Sequence, residues 1–249
     1  MAKETDYRAN ALIRGLAILH SFDQRHPEMS LSEIAEAISV TSSAAYRFVV
    51  TLEQEGYLER RENRYRLAPR VMDLGYRYLA SLDIPDIARA PVERLRNETG
   101  FTAHVGVLSG VQVVYVCRAL SDRSMVSNVP VGARLPAVAT TMGRLLLSDL
   151  PEDELDRRLA DWRFDSTNPQ APQTLAALKK LLRADRQRGY VAQASHHAPG
   201  TFAIAAPLVS RQGSYVGAIN LSGHEMQMHP SPELIAQVLA TAASISQLL

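Results

Sequence analysis

Residues 30–67 constrain the fold of this chain more than any other segment, because two short helix patterns are followed by a hairpin pattern. Ser30 and Glu33 make a capping-box pattern just before an apolar run, which predicts that a helix begins there. Residues 39–40 predict a turn, and Gly56 predicts the end of the second helix. Both helices have apolar residues at helical spacing: Leu31, Ile34, Ala35 and Ile38 in the first, and Ala45, Phe48, Val49 and Leu52 in the second.

The second predicted helix has a polar face opposite its apolar stripe. At about 100° per residue, Ser43, Tyr46, Arg47 and Val50 lie nearly opposite that stripe. Hydroxyl groups, an aromatic ring and one long arginine are side chains suited to reading base edges in the major groove of DNA. With the capping positions included, the predicted DNA-contacting residues of this helix are Thr41, Ser42, Ser43, Tyr46 and Arg47.

Residues 57–67 predict a β-hairpin that turns near residues 62–63. Four arginines on so small a hairpin suit a wing that contacts phosphates: Arg60, Arg61, Arg64 and Arg66. Taken alone, the helix pair also fits an ordinary core, and an arginine-rich hairpin also fits a solvated edge strand. Together, and in this order, they favour a winged helix-turn-helix that binds double-stranded DNA. A winged helix that docks a protein instead, as an adaptor, is the alternative.

Composition limits the remaining classes of protein. A chain of 249 residues holds one large or two ordinary domains, and no apolar stretch approaches the length of a membrane span. The single cysteine, Cys117, excludes an internal disulfide framework, and together with the absence of a signal-peptide pattern it predicts a cytoplasmic protein. The formal net charge is +1, so the positive charge for binding DNA must be local.

Before the helix pair, the sequence predicts a helix over residues 7–22 with Leu12, Leu16 and Leu19 on its core face. After the hairpin, it predicts a rigid helical connector from Pro69 to about Leu82. Beyond it the pattern predicts an α+β domain with a mostly antiparallel sheet flanked by helices. The predicted helices are 85–99, 137–148, 151–159, 173–188 and one from Ser231 to the end; the predicted strands are 102–108, 111–118, 124–131, 190–196, 201–209 and 215–222.

Several colinear stretches resemble the IclR family of bacterial transcriptional regulators. They are 15–19, the helix pair with Arg47, 56–58, 65–67, 74–75, 131–136, 139–147 and 204–207, and they extend over nearly the whole chain. The amino-acid sequence of residues 131–147 most resembles the branch of this family that regulates aromatic-acid catabolism. That branch includes regulators of the protocatechuate and β-ketoadipate pathways.

The resemblance implies three parts. They are a winged helix-turn-helix domain (1–68), a linker helix used in dimerisation (69–82) and a GAF-like effector-binding domain (83–249). It implies a homodimer, or a dimer of dimers, on an inverted-repeat operator, and control of a catabolic operon by a small aromatic or dicarboxylic acid. No cofactor and no membrane partner is expected.

The resemblance implies an effector between the sheet and the 137–148 helix. An acid is expected there, because free N–H groups at a helix start favour anions. Ala139, Thr140, Thr141 and Met142 stand at that start. The family's pocket pattern adds Ser195, His197, Ala203, Asn220 and Ser222. The chain departs from the pattern at 193–200, where acidic residues are usual before the glycine, and at Phe202, where an arginine is common.

The second domain could also be interpreted as holding a metal site or an enzyme active site, but the sequence supports these hypotheses less than an effector site. His196 and His197 would point to opposite faces of a strand, and no cysteine or acid stands at ligand spacing, so we expect no metal site. An enzyme is the alternative from another class. No nucleophile elbow, phosphate loop, dinucleotide fingerprint or metal-helix motif is present, and the sequence shows no recognisable acid to complete a catalytic set with Ser195 and His197. We therefore expect a regulator and not an enzyme.

Overall fold

The computed structural model describes residues 8–121, 128–164, 171–196 and 198–249. These form two compact units, residues 1–80 and 81–249. No helix among the described residues combines the length and the apolar character needed to cross a membrane.

The first unit is a three-helix core with a small antiparallel sheet. Its core gathers buried apolar side chains from all three helices and the hairpin, among them Ile18, Ile34, Val49, Leu58 and Tyr65. The sheet order is β1-β3-β2. The elements are α1 (Asn10–Ser21), β1 (Met29–Ser30), α2 (Leu31–Ala37), α3 (Ser42–Gln54), β2 (Leu58–Arg61), β3 (Arg64–Leu67) and α4 (Val71–Ala80).

The predicted helix-turn-helix and hairpin are confirmed in detail. Ser30 accepts from the Glu33 N–H while the Glu33 carboxylate accepts from the Ser30 N–H, so the capping box is present. Thr41 caps α3 by accepting from the Ala44 N–H. The hairpin turns at residues 62–63, and Glu62 has φ +51°, a left-handed conformation that suits a tight turn.

Two predictions for the first unit are corrected. The sequence predicts a core face of α1 through Leu12, Leu16 and Leu19. Leu19 packs against the core, but the buried residue of the helix is Ile18, and Leu12 and Leu16 are 64% and 44% exposed. The prediction is therefore partly wrong, because α1 carries apolar residues on two sides. Helix α4 is shorter than the predicted connector and has no buried residue at all.

The second unit is a six-stranded antiparallel sheet of order β6-β5-β4-β9-β8-β7. Its elements are α5 (Ile84–Thr99), β4 (Thr102–Ser109), β5 (Gln112–Ala119), β6 (Arg134–Pro136), a 3-10 turn (Ala137–Ala139), α6 (Thr141–Ser148), α7 (Glu152–Arg158), α8 (Leu175–Arg188), β7 (Val191–Ala194), β8 (Thr201–Val209), β9 (Tyr215–His224) and α9 (Pro232–Ser246).

Helices cover both faces of this sheet. One face packs against α5 and α9, where a Cβ at Gly217 would touch Ile84. The opposite face packs against α6, where Met142 lies over Gly106. Because side chains alternate along a strand, His104 lies on the α6 side together with Gly106.

Three predictions for the second unit need correction. The 137–148 helix is interrupted, because Thr140 has extended backbone (φ −113°, ψ 147°) and separates a 3-10 turn from α6. The predicted 124–131 strand lies partly outside the described residues, and its described part is not a strand; β6 follows at Arg134–Pro136 instead. Strand β7 ends at Ala194, so His196 is not on a strand, and the strand-alternation argument does not apply to it.

Candidate functional sites: an exposed basic face and a buried polar patch

The polar face of α3 is open to solvent. Ser43, Tyr46 and Arg47 are exposed, whereas Ala45 and Val49 on the opposite side are buried. The Ser43 hydroxyl lies 3.1 Å from the hydroxyl of the capping Thr41. An exposed helix face with two hydroxyls, a phenol and a guanidinium can enter a major groove without distorting the core beneath it.

The arginines of the hairpin differ in what their side chains contact. Arg60 donates to the Glu62 carbonyl (2.7 Å), and Arg66 pairs with Glu59 (2.5 Å). Arg61 is the one wing arginine for which the described residues show no partner, and it is exposed. Arg61 is therefore the guanidinium most available to a phosphate.

Arg64 has a positioning contact that the sequence did not reveal. It donates to the Glu28 carbonyl (2.8 Å) and to Glu33 Oε2 (2.9 Å). The same Oε2 accepts from the Ser30 N–H at 2.6 Å. The Ser30 N–H, and to a smaller extent the Arg64 charge, lower the pKa of Glu33 below its usual value. One carboxylate thus joins the start of α2 to the wing.

A patch of buried polar side chains lies on the α6 side of the larger sheet. Asn220 is directly opposite His104 in the β4–β9 pair, and Ser222 is opposite Thr102. On β8, Ala203 is opposite Ser222. The members that are buried to 6% exposure or less are Thr102, His104, Thr201, Asn220 and Ser222.

His104 is the most deeply buried member of this patch. Its Nδ1 lies 3.2 Å from Asn220 Oδ1, and the ring of Tyr115 meets it edge-on at 5.2 Å. Burial lowers the pKa of His104 from 6.5 to about 4, so the imidazole is neutral at pH 7. Burial also raises the pKa of Tyr115 to about 12.

The start of α6 faces this patch with its cap in place. Thr140 accepts from the Gly143 N–H at 3.1 Å, which leaves the earlier N–H groups of the first turn without an intrahelical acceptor. A Cβ at Gly143 would stand 2.2 Å from the Ala137 carbonyl oxygen, so only glycine permits the close approach of the two helical segments. The helix start is therefore fixed against the preceding turn.

Several buried polar atoms on this side have no hydrogen-bond partner among the described residues. They are His104 Nε2, Thr141 Oγ1, Gln193 Nε2, His196 Nδ1 and Thr201 Oγ1. A buried polar group left without a partner costs on the order of 1–3 kcal/mol. The five atoms come from β4, α6, β7, β8 and the loop after β7, so they gather on one side of the sheet.

A buried ion pair borders the patch. Arg144 donates through Nε (2.8 Å) and Nη2 (2.5 Å) to Asp185 Oδ2, which ties α6 to α8. Its Nη1 donates to Gln193 on β7. Burial lowers the pKa of His196, and the Arg144 charge lowers it further. The Arg144 guanidinium is thus held in place by the fold, with its charge balanced by Asp185.

The other predicted pocket residues have mixed environments. Met142 and Ala203 are buried, and Ala139 lies in the 3-10 turn and not in α6. Ser195 accepts from the Ala198 N–H and helps form the turn after β7. His197 lies outside the described residues. Within the described part of the chain no three His, Cys, Asp or Glu side chains come together as a metal site.

Sequence reasoning missed His104, Arg144, Gln193 and Thr201. The available signal was in β4, where Thr102 and His104 alternate as polar residues at one end of an otherwise apolar strand. The pairing of His104 with Asn220 could not be read from the sequence, because it joins residues 116 positions apart.

Comparison with known proteins gives matches over most of the chain. A model of the IclR helix-turn-helix domain matches residues 11–62, and a model of the C-terminal domain of the bacterial transcriptional regulator IclR matches residues 76–247. The p-hydroxybenzoate hydroxylase transcriptional activator of Acinetobacter baylyi is 31% identical over 239 residues, which are 94% of this chain and 88% of that one.

Solved structures agree with the fold. A protein of Rhodococcus sp. RHA1 described as a transcriptional regulator has a TM-score of 0.83 at 34% identity, over 96% of this chain and 98% of that one. An IclR homologue from Microbacterium hydrocarbonoxydans, solved with 4-hydroxybenzoate, has a TM-score of 0.83 at 23% identity, over 95% and 98% of the two chains. At that identity the second likeness shows the shared fold alone.

Proposed function

The chain belongs to the IclR family of bacterial transcriptional regulators, and from this we propose that it controls a catabolic operon in response to a small organic acid bound in its second unit. Membership in this family confirms the prediction of a DNA-binding regulator. It argues against the two alternatives, an enzyme and an adaptor whose winged helix docks a protein. The observation that supports the acid most directly is the set of unpartnered buried polar atoms beside the start of α6. A regulator that reads chromosomal DNA would work in the cytoplasm.

We propose a division into a DNA-binding domain (1–68), a linker helix (69–82) and an effector domain (83–249). The proposed base-reading residues are Thr41, Ser42, Ser43, Tyr46 and Arg47, and the proposed phosphate contacts are Arg60, Arg61, Arg64 and Arg66. Arg61 is the strongest of the phosphate candidates because the other three are engaged within the hairpin or with α2. Contacts to bases give sequence preference, whereas contacts to phosphates give affinity that falls with salt.

The DNA assignment is tested with a labelled fragment from upstream of the protein's own gene. Arg47→Ala should reduce the ratio of specific to non-specific affinity, and Arg61→Ala should weaken both and lower the salt slope by about one. Arg157→Ala removes the same charge from an exposed position in the second unit and serves as the control. Unchanged affinity in both first-unit variants would refute the assignment.

For the acid we propose a carboxylate at the start of α6, near Thr140, Thr141 and Met142. The argument that supports it is that the free N–H groups of a helix start attract anions. The remaining proposed pocket residues are Ala139, Ser195, His197, Ala203, Asn220 and Ser222. The 4-hydroxybenzoate bound to the Microbacterium homologue and the aromatic pathway of the Acinetobacter relative support an aromatic acid.

The acid site is tested by thermal shift of the full chain with aromatic acids, ring-cleavage dicarboxylates and short keto acids. An acid at 100 times its Kd should stabilise by about 2.7 kcal/mol. Thr141→Val keeps the side-chain shape but removes a buried hydroxyl without a partner, so it should preserve stability without ligand and lose affinity for the acid. Thr241→Val on α9 is the control and should keep that affinity. The site is wrong if Thr141→Val binds as the wild type does.

We also propose that the protein is a homodimer, or a dimer of dimers. Support comes from α1 and α4, whose large apolar side chains Leu12, Met72, Leu74 and Tyr76 are each more than half exposed. A ten-residue helix with no buried residue is only marginally stable by itself in water. We therefore expect a second copy of the chain to pack against the apolar side chains of α4. Leu74→Lys should shift sedimentation from dimer toward monomer. Met226→Lys changes a still more exposed apolar residue of the second unit and should leave the sedimentation unchanged.

A further inference from the structure

His104 has one ring nitrogen, Nε2, that forms no hydrogen bond with the described residues. The side chain is fully buried on the α6 side of the sheet, and its Nε2 has no partner among the described residues. Helix α6 and strands β5 and β9 surround this position, so Nε2 belongs to the same buried patch as Asn220 and Ser222. A ligand in the patch could supply the missing hydrogen bond.

The hydrogen bond to Asn220 determines what Nε2 can do. The Asn220 Oδ1 atom can only accept, so the His104 Nδ1 carries the proton and donates. The imidazole is neutral at pH 7, since its pKa is about 4. In that tautomer Nε2 presents a lone pair and is an acceptor.

The charges around His104 decide which donor fits. Arg118 is the cross-strand neighbour of His104 on β5, and its positive charge is one reason that the pKa of His104 is lowered. An ammonium donor would be repelled by the Arg118 guanidinium, whereas a neutral hydroxyl would not.

We propose that the effector is a hydroxylated acid whose hydroxyl group donates a hydrogen bond to His104 Nε2, which makes His104 a specificity-determining residue. The inference rests on the proposed function, because it assumes that an acid occupies the patch. The carboxylate and the hydroxyl are read by different elements: α6 selects for the anion, and β4 selects for the hydroxyl. An acid without the hydroxyl leaves Nε2 buried and unpaired.

The experiment is calorimetric titration of the full chain with benzoate, 3-hydroxybenzoate, 4-hydroxybenzoate and 4-methoxybenzoate. The two positional isomers allow for either ring geometry, and the methoxy compound keeps the oxygen but has no proton to donate. Wild type should bind at least one hydroxybenzoate on the order of 10-fold more tightly than benzoate, and the methoxy compound no better than benzoate.

His104→Phe should remove this preference and little else. Phenylalanine keeps a planar ring but has no acceptor, so affinity for the hydroxybenzoate should fall on the order of 10-fold while affinity for benzoate stays within about threefold. Cys117→Ala, on the opposite face of the neighbouring strand, is the control and should keep the wild-type preference. The ¹⁵N signal of His104 Nε2 in wild type should move with the hydroxybenzoate but not with benzoate, which tests the contact even if the variant folds poorly.

The outcomes separate the two proposals. If acids bind to wild type without a preference for the hydroxyl, or if the preference survives in His104→Phe, the role of His104 is refuted and the acid site stands. If no aromatic acid binds while a ring-cleavage dicarboxylate or keto acid lacking a hydroxyl does, the role of His104 is refuted as well. If no acid of any class binds, the proposed function itself is overturned.

Discussion

Lowering the pH from 7 to 5 should destabilise the second unit through His104. The pKa of this residue is about 4 in the folded protein and near 6.5 in an unfolded chain. Between these values the unfolded state binds a proton that the folded state does not. The stability present above pH 6.5 is therefore lost as the pH falls toward 4, and no more is lost below that. The full span is worth about 3 kcal/mol, of which about 2 kcal/mol lies between pH 7 and pH 5.

The measurement compares wild type with His104→Phe in urea at pH 7, 6 and 5. Trp162 is the only tryptophan in the chain and packs against the core of the second unit, so its fluorescence reports that unit within the full-length protein. Groups present in both proteins, such as His196, cancel in the difference. The free energy of unfolding of wild type should fall by about 2 kcal/mol relative to the variant. A difference that stays constant from pH 7 to pH 5 would refute the buried neutral imidazole.

Three other substitutions test the packing directly, each by urea denaturation. Gly143→Ala forces a Cβ against the Ala137 carbonyl and should cost about 1–3 kcal/mol or more, with loss of acid binding; a variant as stable as wild type would contradict the close approach. Arg144→Met removes the closer of the two guanidinium groups that pair with the buried Asp185 and leaves, among the described residues, only Arg188 at 3.4 Å, so it should cost about 3–5 kcal/mol; Arg144→Met with Asp185→Leu should restore most of that loss. Ile18→Ala opens the core of the first unit and should cost about 2–5 kcal/mol; a loss below 1 kcal/mol would mean that α1 is packed through another face.

The DNA-reading part of the fold could be predicted because its signals are local. A capping box, a helical stripe and a tight turn each span fewer than a dozen residues, and Ser30, Thr41 and Glu62 all have the predicted roles. The core face of α1 was only partly predicted, since Leu19 packs against the core but Leu12 and Leu16 do not, because apolar residues lie on two sides of the helix. Periodicity alone does not tell a core face from one that a second copy could cover.

The ligand patch depends on contacts that are distant in sequence. Strand alternation predicts that Asn220 and Ser222 lie on one face of the sheet. The register of β4 and β9 confirms this prediction. His104 and Arg144 acquire their roles only from residues more than 40 positions away, through Asn220 and Asp185. A sequence shows which residues alternate on a strand, but it does not show which strand lies beside which.

The shared oxygen of Glu33 makes the DNA-reading unit behave as one mechanical body. Because β1 pairs with β3, and Oε2 accepts from both the Ser30 amide and the Arg64 guanidinium, a tilt of the hairpin would strain the first turn of α2. A phosphate bound at the wing would therefore influence the angle at which α3 enters the groove. Contacts with the sugar–phosphate backbone and contacts with the bases would then be coupled. The protein would respond to the shape of the DNA and to its sequence together.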